Sequence, residues 1–115
     1  MSAELVGTGV DRQVALSRVG GDEELLREIA GLFLEDYPKA LAELHEAAAK
    51  QDAKAVERTA HGLKGSVANF GAQAAVDAAF TIERMGRAEE LDRLQEKLQT
   101  LEQALAALRP ELESL

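Results

Sequence analysis

Apolar residues recur along most of this chain at spacings of three and four, the period of helices buried along one side. Leu26, Ile29, Phe33, Tyr37, Ala40, Leu44 and Ala47 make one stripe. Val56, Leu63, Val67 and Phe70 make a second, and Ala75, Val76, Ala79 and Ile82 a third. Leu91, Leu94, Leu98, Leu101, Leu105 and Leu108 make the fourth and longest. The polar residues between them supply the punctuation. Asp11 is placed to cap a short helix carrying Val14, Ala15 and Val19, which Gly20-Gly21 ends. Asp22 caps the next helix, with Glu23 and Glu24 in its first turn, where the helix dipole favours anions. Asp52 opens the third and Gly71 closes it. A fourth is predicted from about Gln73 to Met85, ending at Gly86, and a fifth from near Ala88 to Pro110.

Pro38 interrupts the first stripe, because proline lacks the donor of one helical hydrogen bond and crowds the preceding turn. Either the helix kinks near Leu34 or a new one starts around Tyr37. The unbroken stripe favours a kinked, nearly continuous element.

Four substantial helices with short connections and one apolar stripe each predict an all-α fold, an antiparallel four-helix bundle with a short N-terminal capping helix. Residues 1–10 read as a flexible arm, 11–109 as the bundle and 110–115 as a tail. The leucine repeat of the last helix also suits a coiled-coil dimer. Three other helices need partners as well, however, and a monomeric bundle satisfies all four stripes.

Composition narrows the function classes. An apolar share of 46% in 115 residues is enough for one core. No run approaches the roughly 20 apolar residues of a membrane span, and the N-terminus has no basic segment followed by an apolar one. Cysteine is absent, so disulfides and thiolate metal sites are excluded; a cytoplasmic location is expected. The net charge of −8 argues against nucleic acid and anionic membranes as partners.

The candidate chemistry lies in Ala60–Ala72, A-H-G-L-K-G-S-V-A-N-F-G-A. At about 100° per residue, His61 falls off the buried stripe and shares a second face with Glu57, Lys64, Gly65 and Ala68. Glycine inside a helix costs about 1 kcal/mol relative to alanine. Gly65 or Gly62 therefore marks either a site that something approaches closely or a place where a neighbouring helix packs tightly. A neutral imidazole is a good nucleophile near pH 7 and can carry a covalent intermediate. A phosphoryl group on it needs a cation nearby, and Lys64, one turn on, supplies one.

The string His61-Gly62-Leu63-Lys64-Gly65-Ser66, followed by Gly71-Ala72, resembles the H-x-L-K-G-S-x(4)-G-A signature of histidine phosphotransfer (HPt) domains, and the helical pattern over about residues 11–108 is similar to that family's. The resemblance implies that His61 accepts a phosphoryl group from a receiver-domain aspartate and passes it to another receiver's aspartate. It implies charge support from Lys64 and partner access or docking around Gly65, Ser66 and Ala68. Response-regulator receivers and a hybrid sensor histidine kinase are the implied partners. The Mg²⁺ belongs to the receiver, and no cofactor or metal is expected on this chain. Without a Walker lysine loop or a kinase-type glycine-rich loop, the chain reads as a phosphoryl carrier and not an enzyme with its own ATP site.

Two alternatives accompany this reading. One is the phosphorylated N-terminal domain of a chemotaxis-type kinase. The other is an adaptor that binds receivers without being phosphorylated, which leaves the histidine without a use. A carboxylate-bridged metal pair requires Glu-x-x-His, and neither His45 nor His61 has a glutamate three residues before it. His45 reads as an ordinary surface histidine. Glu57 reads as a solvated partner of His61 or Arg58, or as an orienter of the imidazole. Arg84–Arg93, of mixed sign, reads as a solvated corner.

Overall fold

Three aspartates start three of the helices, each by the same local chemistry. In the computed structural model, which describes residues 9–115, the Asp11 side chain accepts from the backbone N–H groups of Gln13 and Val14. Asp22 accepts from Leu25 and Asp52 from Ala55, at 3.0 and 3.1 Å. Each such cap is worth about 1 kcal/mol, because it satisfies a donor that the first turn leaves free. The helices are α1 (Arg12–Arg18), α2 (Glu23–Ala49), α3 (Ala53–Ala68), α4 (Gln73–Ala88) and α5 (Leu94–Glu113). Among the described residues there is no strand. Most of the expected N-terminal arm lies outside the described residues.

α2 is one helix of 27 residues with Pro38 inside it. Pro38 sits on the exposed side, while Phe33, Tyr37 and Leu44 keep their places in the core. The ends of α4 and α5 differ from the pattern-based reading. Gly86 does not stop α4, which continues to Ala88 and closes through Glu89 in the left-handed conformation (φ 57°). α5 begins at Leu94 and runs through Pro110 to Glu113. Burial of Leu112 and a hydrogen bond from the Val10 N–H to Glu111 Oε1 (3.0 Å) hold that last turn in place.

α3 packs against α2 and α4, and α5 against α4 and α2, so that each long helix has two long neighbours. The leucines of α5 from Leu94 to Leu112 are buried within the chain itself. At one end Phe33 stacks on Tyr37 with ring centroids 5.3 Å apart and meets Phe70 at 5.6 Å. The α3–α4 turn there is covered by the start of α1, through a bond from the Asp11 N–H to the Phe70 carbonyl (2.8 Å). Gly71, at φ +61°, cannot easily be another residue: a Cβ there would lie 2.6 Å from Asp11 Cβ.

At the far end of the α3–α4 pair the two backbones come close together. A Cβ on Gly86 would sit 2.6 Å from the Glu57 backbone nitrogen and 2.8 Å from the Ala53 carbonyl oxygen. Gly86, with the buried Ala79 and Ala75 about two and three turns earlier, lets the α4 backbone lie directly on α3.

Candidate functional site

The phase of α3 decides which of its residues face outward. Val56, Ala60, Leu63 and Val67 are buried. His61, one position off that stripe, has 68% of its side chain exposed. The side chain of Lys64, a turn later, is 27% exposed. Opposite them on α4 stands Glu83, which follows Ile82 in the buried stripe and precedes Gly86 by three residues. It is the sole buried charged side chain among the described residues, at 2% exposure.

A buried carboxylate is costly unless it is paired, and Glu83 is paired three times. Its Oε2 lies 2.9 Å from His61 Nδ1 and 2.9 Å from an Arg87 Nη2 that donates to it. Its Oε1 lies 2.7 Å from the Lys64 ammonium, as an ion pair without hydrogen-bond alignment. Burial pushes the Glu83 carboxyl up. Lys64 and then His61 more than offset this, so it is held below the ordinary carboxylate value. An ionised carboxylate only accepts hydrogen bonds, so Nδ1 of His61 must carry the proton. In the neutral ring the lone pair then resides on Nε2. The long-range carboxylate thus selects the tautomer and fixes the ring plane.

Around this core the charges form a chain. Arg87 also donates from Nε to Glu57 Oε2 at 2.9 Å, which ties α4 to α3 a turn before His61. Lys64 lies 4.9 Å from the centroid of the half-exposed Phe80, and the Arg84 guanidinium 5.7 Å from the same ring. An open depression beside the imidazole is lined by Lys54, Glu57, Arg58, His61, Glu83 and Arg87.

The structure therefore brings His61 and Lys64 together, but through a residue that sequence reasoning missed. Glu57 neither pairs with His61 or Arg58 nor orients the ring; Arg87 takes it, and Glu83 is in the orienting position. Arg87 is accordingly part of the site and not of a solvated corner. Gly65 is exposed on the His61 side of α3, and a Cβ on it or on Gly62 would meet nothing within 4 Å. Tight packing of a neighbouring helix therefore does not explain either glycine; that role belongs to Gly86. Ser66 and Ala68 are half-buried, and Ser66 lines a second groove with Gly62 from α3 and Asp36, Tyr37 and Glu43 from α2. His45 is a surface residue 3.2 Å from Glu102. Among the described residues no group of three or more His, Cys, Asp or Glu is placed to hold a metal ion, and no helix is long and apolar enough to cross a membrane.

The helical bundle thus presents an exposed histidine, His61, whose ring is oriented by a buried carboxylate and flanked by a lysine. The model of the Hpt domain matches residues 28–111. The chain belongs to the Hpt domain family of histidine phosphotransfer proteins. Its structure is similar to the crystal structure of histidine-containing phosphotransfer protein B (HptB) from Pseudomonas aeruginosa PAO1, with a TM-score of 0.85, 28% identity and 91% of each chain covered. No curated protein matches the chain.

Proposed function

We propose that this chain is a phosphorelay carrier that takes a phosphoryl group from one receiver-domain aspartate onto His61 Nε2 and gives it to another. The observation that supports this best is the pairing of Nδ1 with Glu83 on a ring whose other side is open to solvent. The Nε2 lone pair attacks the phosphorus of an aspartyl phosphate. The N–P bond forms as the acyl P–O bond breaks, and the aspartate leaves as a carboxylate. The imidazole keeps its Nδ1 proton, so the modified ring is cationic, and Glu83 stands beside it as counter-charge. In the second transfer a receiver carboxylate attacks the same phosphorus and the imidazole leaves neutral.

Lys64 acts as the mobile cation for the phosphoryl oxygens. Gly65 keeps the approach to the ring clear, and Ser66, Ala68 and the α2–α3 groove form part of the docking surface. The chain binds no cofactor of its own; Mg²⁺ comes with the receiver, and phosphotransfer is catalysed jointly with it. The carrier works as a monomer, an antiparallel four-helix bundle capped by α1, in the cytoplasm. A hybrid sensor kinase feeds it.

The decisive experiment incubates the protein with a phosphorylated receiver and Mg²⁺ and follows acid-labile, base-stable phosphate on the chain. Label on wild type and none on a folded His61→Gln variant is the expected result. Equal labelling of both proteins would overturn the role of His61.

A further inference from the structure

We propose that Arg87 is a positioning residue that frees Lys64 for the phosphoryl group by keeping Glu83 neutralised when Lys64 leaves it. This rests on the reading of His61 as a phosphoryl carrier. Lys64 is already engaged, with its ammonium 2.7 Å from Glu83 Oε1. A phosphoryl group on Nε2 grows from the side of the ring opposite Nδ1, so Lys64 must divide itself between two anions. Were it the main cation for a carboxylate that is almost wholly buried, moving away would strand that charge in a poorly solvating environment.

Arg87 removes this conflict. Its Nη2 holds Glu83 Oε2 at 2.9 Å, the oxygen that Lys64 does not use. Its Nε is anchored on Glu57 at 2.9 Å, so the planar guanidinium bridges two carboxylates on two helices and is not free to follow the phosphoryl group. The charged groups facing this cluster are Lys54, Glu57, Arg58 and Lys64 from α3 and Glu83, Arg84 and Arg87 from α4. Of the cations, Lys64 and Arg87 contact Glu83 directly. Removing Arg87 leaves Lys64 as the remaining fixed cation on Glu83, and its hold tightens.

The test uses phosphoramidate, a small donor that needs no docking surface: its N–P bond breaks, ammonia leaves and the bond to His61 forms. Arg87→Gln is expected to lower the labelling rate about threefold or more, with Arg87→Lys, which keeps the charge but not the two-carboxylate bridge, recovering only part of the loss. In a Lys64→Ala background, Arg87→Gln is expected to have no further effect, because the residue acts through the lysine. The companion readout needs no phosphoryl transfer: acetylation of Lys64 by an activated ester, mapped by mass spectrometry against Lys39 and Lys97 as internal references. Arg87→Gln is expected to slow acetylation at Lys64 about threefold and not at the references. An unchanged Lys64 reactivity, or the same labelling loss with and without Lys64, overturns the proposal. Absence of label on wild type, with Lys64 reactivity lowered as expected, sinks the carrier reading and supports the Arg87–Lys64 coupling.

Discussion

His61 on α3 and Glu83 on α4 are 22 positions apart in the chain, and Nδ1 and Oε2 meet at 2.9 Å. The contact sets the chemistry of a ring that is otherwise largely in solvent. A free neutral histidine distributes its proton between the two nitrogens; here the carboxylate claims Nδ1. Replacing Glu83 by Ala is expected to let the Nε2–H tautomer become a major species, read by nitrogen–proton correlation spectra of the imidazole. Phosphoramidate labelling should fall about tenfold, the equivalent of one charge-assisted hydrogen bond of about 1.5 kcal/mol. A spectrum still dominated by Nδ1–H would show that something other than Glu83 orients the ring.

The same carboxylate makes stability depend on acid. Burial alone pushes the Glu83 carboxyl up, but Lys64 and His61 outweigh it and its folded-state value lies below the ordinary 4.5. A group depressed in this way favours the folded state at pH values above its unfolded value, and that contribution is lost as pH falls through the folded value. Wild type and Glu83→Gln should therefore converge in stability below about pH 4.5, because only the wild-type side chain titrates. Urea midpoints taken between about pH 5 and pH 2 measure the difference. A gap between the two proteins that stays constant over that range would mean that the Glu83 network adds nothing specific to the ionised form.

Much of this was legible in the sequence because it is local. Asp11, Asp22 and Asp52 cap where a short acceptor before a helical stripe says they should. The stripe of α3 by itself places His61 outside and Leu63 inside. The departures have physical causes that local pattern does not carry. Taking Gly86 as a helix stop ended α4 a turn early and hid what lies around it. In an uninterrupted helix Glu83 shares a face with Ala79 and Gly86, which makes it an acid in an apolar phase, and such a residue requires cations from a neighbour. Arg87 falls one turn beyond Glu83, within the run of mixed sign that reads as a solvated corner when the helix is ended at Gly86. Glu57, by contrast, was in phase with His61, but its partner comes from another helix, which the periodicity of α3 does not encode. Pro110 misled in the opposite direction, since tertiary burial of Leu112 carries α5 past it.

Lys64 offers a sharper separation of charge from fold. Its removal leaves Glu83 in contact with His61 and Arg87, so the buried carboxylate keeps two partners. Lys64→Ala should retain the helical circular dichroism and cooperative unfolding of wild type. The lifetime of phosphate on His61 and the labelling rate should both change, with the rate falling about tenfold for one lost cation contact to the phosphoryl oxygens. Lys64→Arg keeps the charge but not the compact ammonium, and should recover only part of that loss. If labelling by phosphoramidate is the same in Lys64→Ala as in wild type, the lysine serves the resting network and not the phosphoryl group.

Two glycines give opposite expectations for one substitution. At Gly86 the added Cβ would lie 2.6 Å from Glu57 N and 2.8 Å from Ala53 O, both backbone atoms of α3, so neither can rotate away. Gly86→Ala is therefore expected to cost about 2–3 kcal/mol, although alanine is the better helix former. It should also weaken the His61–Glu83 contact by pushing α4 off α3. At Gly65 a Cβ meets nothing within 4 Å. Gly65→Ala should stabilise the protein by about 0.5–1 kcal/mol through helix propensity and a less flexible unfolded chain. If that glycine exists to admit a partner, the more stable variant should take phosphate from phosphoramidate as wild type does and exchange it with a receiver many times more slowly. Thermal unfolding and the two labelling rates on both variants decide the matter. A Gly65→Ala protein that is stabilised and also exchanges with receivers at the wild-type rate would remove access as the reason for the glycine.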